Sequence, residues 1–177
     1  SFDQAMTREN PGPIAEILPD AWHMMRDQGL AIVFAELYGE ALADLDLPPK
    51  TRALALRIGL LSSAYESIAS RAQSLDRTET FLVGLARGAP PALLADSPLK
   101  QAVSAAFSAT STPADQAALL KSGKLGQAIL SAGLQLDRAG MRGFEDITSA
   151  LATLRTVGLE ETARRAALEL LILESGA

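Results

Sequence analysis

The chain has 177 residues, 48% hydrophobic and 21% charged, with a net charge of −5, so it can bury a core and is too apolar to stay disordered. The negative balance argues against nucleic acid as a partner, and the absence of cysteine excludes disulfides, zinc–thiolate sites, iron–sulfur clusters and thiol nucleophiles. The 32 alanines and 29 leucines far outnumber the 8 isoleucines and 4 valines, which predicts an all-α protein.

"NPGP" (10–13) and Pro19 are expected to break the start of the chain. Asp20 then caps a short helix through "AWHMMRDQ", which Gly29 ends. "LAIVFAELYGEALADL" (30–45) reads as the next helix, stopped by "DLPPK" (46–50). A long helix is predicted from 51 to 73. Its apolar stripe is Leu54, Ile58, Leu61, Tyr65, Ile68 and Ala72, at steps of three and four. Ser62, Ser63, Ser67 and Ser70 keep the rest of that surface small. "DRTE" (76–79) has capping-box form, with Asp76 as N-cap and Glu79 reaching back, and opens a helix to about Arg87.

"GAPPALLADSP" (88–98) is the candidate boundary. The expectation is one domain over 1–177, with a possible subdivision into 1–87 and 97–177. Ser97-Pro98 and Thr112-Pro113 each place a capping hydroxyl before a proline in the first helical position. They predict helices near 98–108 and 113–121. A helix over 124–136, the loop "DRAGMRG" and two final helices over 145–157 and 159–174 complete the chain.

"ALLKSGKLGQAILSA" (118–132) aligns with "TLRTVGLEETARRAA" (153–167) at an offset of 35 residues. Leu119 falls on Leu154, Gly123 on Gly158, Ala128 on Ala163 and Ala132 on Ala167. Over about 113–173 the pattern resembles a tetratricopeptide repeat, whose period is about 34 residues. Leu119, Gly123, Leu125 and Ala128 occupy that pattern's apolar, turn, apolar and small positions. Alanine at 132 and glycine at 140 replace its aromatic residue and closing proline. The resemblance implies stacked helical hairpins, an irregular α-solenoid-like bundle with a concave peptide-binding face.

Charge is unevenly spread. Residues 1–49 carry nine acidic and two basic residues, and residues 50–87 carry six basic and three acidic. Either the acidic segment lies beside the arginine-bearing helix that follows it, or a basic partner docks on it. Arg164 and Arg165 raise the question of a DNA-reading helix. Glu160, Glu161 and Glu169 stand four residues from one or other of them, a spacing that supports the helix and neutralises both cations. The reading is a packed terminal hairpin.

His23 is the single histidine, and Asp20 and Asp27 share its helical face, a set that could orient a base or hold a metal. The simpler reading makes Asp20 a cap and Asp27 a solvated acid. "GKLG" (123–126) lacks the spacing of a phosphate-binding loop, no nucleophile elbow is present, and "DLD" (44–46) reads as turn chemistry. No catalytic, cofactor or metal residues are assigned.

The sequence thus points to a non-catalytic helical interaction or scaffold module with a protein or peptide partner. The alternative is a bundle holding a small apolar ligand or lipid. By residue type, Trp22, Tyr38, Arg57 and Tyr65 are the partner-binding candidates. No apolar run approaches the roughly 18 residues of a membrane span. No secretory leader is visible and the chain starts at Ser1, so a soluble part of a larger polypeptide is expected, in a compartment left open.

Overall fold

The computed structural model describes residues 2–7, 10–73, 76–109, 117, 123–137 and 143–174. These contain ten α-helices and one 3₁₀ turn, and no strand, as the alanine and leucine excess dictates. In chain order they are α1 (Phe2–Thr7), α2 (Pro11–Asp27), α3 (Ala31–Asp44), α4 (Pro49–Leu60), α5 (Tyr65–Arg71), α6 (Arg77–Ala86), the 3₁₀ turn (Ala92–Leu94), α7 (Pro98–Ser108), α8 (Leu125–Asp137), α9 (Phe144–Thr156) and α10 (Glu160–Glu174). Apart from Ala117, the helix expected over 113–121 lies outside the described residues, as does most of the "DRAGMRG" loop. Two compact units, Ser1–Val83 and Gly84–Ala177, divide within α6, ahead of the proline-rich stretch that the sequence marks.

In the first unit, α2 differs from expectation. It begins at Pro11 and runs through Pro19, so Asp20 lies inside a helix and caps nothing. Pro11 takes the first helical position, where its missing N–H costs nothing. Pro19 is exposed, and it removes one interior hydrogen bond at a cost of about 3 kcal/mol. Ile14, Leu18 and Trp22 form one buried row across it. Burying each such side chain contributes roughly 1.5–3 kcal/mol, which outweighs the proline.

The long helix predicted from 51 to 73 is two helices, α4 and α5. Its apolar stripe persists, since Ile58, Leu61, Tyr65 and Ile68 are buried on both sides of the break. Polar groups hold the break itself. The Ser62 hydroxyl donates to the Gly59 carbonyl at 2.7 Å and accepts from the Ala64 N–H at 3.3 Å. The Glu36 carboxylate, projecting from α3, accepts from the Ser63 N–H at 3.0 Å and the Ser63 hydroxyl at 2.8 Å.

α3 and α4 form the unit's most extensive helix pair, and glycine lies on both sides of their crossing. A Cβ on Gly39 would stand 3.0 Å from the Gly59 Cα and 3.2 Å from the Ile58 carbonyl oxygen. A Cβ on Gly59 would stand 2.9 Å from the Ile68 Cδ1. The absence of side chains is what lets the two backbones approach. At the start of α6 the capping box forms as predicted. The Glu79 N–H donates to the Asp76 Oδ1 at 2.8 Å, and the Asp76 N–H donates to the Glu79 Oε2 at 2.9 Å.

In the second unit α9 is central, packing on α7, α8 and α10. Ser97 caps α7 by accepting from the Lys100 N–H, with Pro98 following it. The turn between α9 and α10 closes on Gly158, whose φ of 85° is left-handed. The Leu159 N–H donates to the Leu154 carbonyl at 2.9 Å, and the Gly158 N–H to the Arg155 carbonyl at 3.0 Å. Gly123 is also left-handed, at 73°. Ala128 and Ala132 on α8, and Ala163 and Ala167 on α10, are fully buried.

Candidate functional site

Core packing leaves one face of α3 uncovered. Ala31, Phe34, Ala35, Gly39 and Leu42 point into the first unit. On the other side, Leu30, Val33 and Leu37 are 44%, 54% and 68% exposed. Steps of three and four align them as a ridge, which the exposed Glu40 and Asp44 extend toward the C-terminus of the helix. Scattered exposed apolar residues are ordinary, but three large ones in register on a single helix form a contact strip. Among the described residues Glu40 has no ion-pair partner, whereas Asp44 forms an ion pair with Arg71, its Oδ1 2.9 Å from Nη2. That ion pair joins the acidic N-terminal segment to the basic one after it. The sequence already held the ridge within "LAIVFAELYGEALADL". It was hidden because this helix is apolar nearly all round, so composition alone did not show which side faces inward.

The four partner-binding candidates take different places. Trp22 is 4% exposed and Tyr65 is 2% exposed, so both serve as core side chains. Tyr38 is half-buried. It joins Phe2, Phe34 and Trp22 in an aromatic cluster, with ring centroids at 5.2 Å for Phe2–Tyr38, 5.0 Å for Phe34–Tyr38 and 6.0 Å for Trp22–Phe34. Its hydroxyl donates to the Asp3 Oδ1 at 3.3 Å. Burial, and then the Asp3 charge and hydrogen bond, raise the Tyr38 pKa above its ordinary 10.0. Arg57 is half-buried on α4, and its Nε has no hydrogen-bond partner among the described residues. Trp22 and Tyr38 are thus gathered around Phe34, while Tyr65 lies at the α4–α5 break.

At the far end of α3 lies a pocket of about 310 Å³. Leu42, Ala55, Leu56 and Ile68 form its apolar lining, and Asp44, Arg52, Arg71 and Gln73 are its polar residues. The end of α3 supplies Asp44, the close of the first turn of α4 supplies Arg52, and the last turn of α5 supplies Arg71. Besides meeting Asp44, Arg71 donates through Nη1 to the Ser67 hydroxyl at 2.9 Å. Arg52 is exposed and has no side-chain partner among the described residues. The second unit has a hollow of about 400 Å³ whose described lining residues, Leu136, Ala166, Glu169, Leu170, Leu173 and Glu174, include two acids.

The arginines of the terminal hairpin have structural occupations. The Arg164 Nη1 donates to the Ala86 carbonyl at the end of α6, at 3.0 Å. The Arg155 Nη1 donates to the Ala106 carbonyl in the last turn of α7 at 2.8 Å, its Nε donates to Glu160 at 2.8 Å, and its guanidinium lies 4.8 Å from the Phe107 ring centroid. Carbonyls left unpaired at helix C-termini favour such cations. The His23 side chain is 78% exposed and meets Asp27 at 3.4 Å, and it lines neither hollow. No group of three metal-ligating side chains occurs among the described residues, and none of their helices is long and apolar enough to cross a membrane. No protein-family model, curated protein or solved structure matches the chain.

Proposed function

We propose that this chain is a non-catalytic helical interaction module, and that the α3 ridge docks an amphipathic helix carrying basic residues. The exposed line Leu30–Val33–Leu37 carries the reading, because it offers apolar contact at the step of a partner helix. Glu40 and the acidic surplus of residues 1–49 supply the complementary charge, which would steer a basic partner and fix its direction. Trp22 and Tyr65 then act as scaffold, Tyr38 retains accessible surface beside Leu37, and Arg57 retains accessible surface on α4. The α9–α10 hairpin that turns on Gly158 supports reading the module as a tetratricopeptide-like stack, with protein or peptide as partner and no nucleic acid. The tied Arg155 and Arg164 side chains support that last point.

A synthetic leucine–lysine amphipathic helix is the probe. Titrated into the labelled protein, it is expected to shift the resonances of Leu30, Val33 and Leu37, and Leu37→Asp should weaken it about tenfold, as loss of a central apolar anchor does. Leu37→Asp should leave the unfolding midpoint near that of the parent protein, because the side chain is exposed. Shifts confined to other surfaces, or binding indifferent to Leu37→Asp, would overturn the reading.

A further inference from the structure

The pocket at the end of α3 has a composition that the interaction reading does not use. Its floor is apolar and buried at Leu42, Ala55 and Ile68, so a ligand body placed there is removed from water. Its polar side holds two guanidinium groups against one carboxylate, leaving a local excess of one positive charge. Asp44, by its ion pair, and the Ser67 hydroxyl hold the Arg71 guanidinium, and among the described residues its other N–H donors have no partner. Arg52 adds a cation with no intramolecular partner among the described residues. A held guanidinium with spare donors is suited to a planar carboxylate, and a mobile one beside it can close over the second oxygen.

We propose that this pocket binds a small monocarboxylate with an apolar body, its carboxylate between Arg52 and Arg71 and its hydrocarbon on Leu42, Ala55, Leu56 and Ile68. The pocket lies at the lower end of the size range of ligand sites, about 300–1,000 Å³, which suits a short acyl chain and not a two-chain lipid. Asp44 has a double role here. It orients Arg71, and it repels a second negative charge, so a dianion such as phosphate or a dicarboxylate is disfavoured. This inference is independent of the α3 ridge.

Sodium octanoate is the probe, followed by methyl resonances in the full chain, with 1-octanol and inorganic phosphate as comparison arms. Octanoate should shift Leu42, Ala55, Leu56 and Ile68, while octanol, which keeps the body and loses the charge, and phosphate, which keeps charge and loses the body, should each bind at least about tenfold more weakly. Arg52→Ala, an exposed substitution, should cost octanoate about tenfold without moving the unfolding midpoint. Ala72→Trp, which fills the mouth, should abolish the shifts. Equal binding of octanol or phosphate, an unchanged affinity in Arg52→Ala, or octanoate shifts absent from these methyl groups would overturn the proposal.

Discussion

Gly39 and Gly59 set the distance between α3 and α4, and neither can gain a side chain cheaply. The two nearest atoms a Cβ on Gly39 would meet, the Gly59 Cα and the Ile58 carbonyl oxygen, belong to the backbone of α4, which cannot rotate away. Gly39→Ala is therefore predicted to destabilise the protein by about 1–3 kcal/mol, measured by urea unfolding. Gly133, in the middle of α8, is exposed and has nothing among the described residues within 4 Å of its would-be Cβ. Gly133→Ala should move stability the other way, by roughly 0.5–1 kcal/mol. Both glycines sit in helical sequence, and nothing local distinguishes them. Tyr38 supplies a second residue-scale test. Its raised pKa means that the native state keeps a phenolic proton that the unfolded chain begins to lose near pH 10.0. Stability should fall as pH rises from that unfolded value through the folded one. Tyr38→Phe should remove this part of the alkaline slope, read from unfolding midpoints between neutral and alkaline pH.

Elements were legible where their signal was local. The Asp76–Glu79 box and the Ser97-Pro98 start both form, because each is built from side chains and backbone a few residues apart. Two errors share another cause. Pro19 stays inside α2 because Ile14, Leu18 and Trp22 bury a row across it, and the 51–73 segment breaks although its periodicity does not. Glu36 meets Ser63 from a different helix, a contact between residues 27 positions apart that no window of local sequence contains. Glu36→Ala should cost about 0.5–1.5 kcal/mol, since the exposed Ser63 donors exchange their carboxylate for water. Hydrogen exchange should speed up at the Ser63 amide before it does in the middle of α3.

At the scale of the whole molecule, charge is the organising variable. Among the described residues, the Asp44–Arg71 pair ties part of the acidic surplus of residues 1–49 to the basic segment that follows. The remaining field favours a basic partner, so binding of the leucine–lysine helix should weaken as salt rises, because the Debye length shrinks from about 30 Å at 0.01 M to about 8 Å at physiological ionic strength. Leu37→Ser in low salt separates the two contributions, because it removes the apolar contact and leaves the charge unchanged. Of the candidate site, residue type pointed to Trp22 and Tyr65, large side chains that the core absorbed. Leu30, Val33 and Leu37, plainer in type, were left outside.

The sequence by itself determined that the chain is helical, where most helices start and stop, and which chemistries the absence of cysteine excludes. Those properties follow from backbone hydrogen bonds and side-chain entropy within a few residues, so a local stretch carries them. Only the tertiary structure decided which side of α3 stays bare, which arginines are consumed by helix ends, and that Asp44, Arg52 and Arg71 meet around one pocket. Each depends on the packing of residues distant in sequence, and on burial, which a chain acquires only once another helix lies against it.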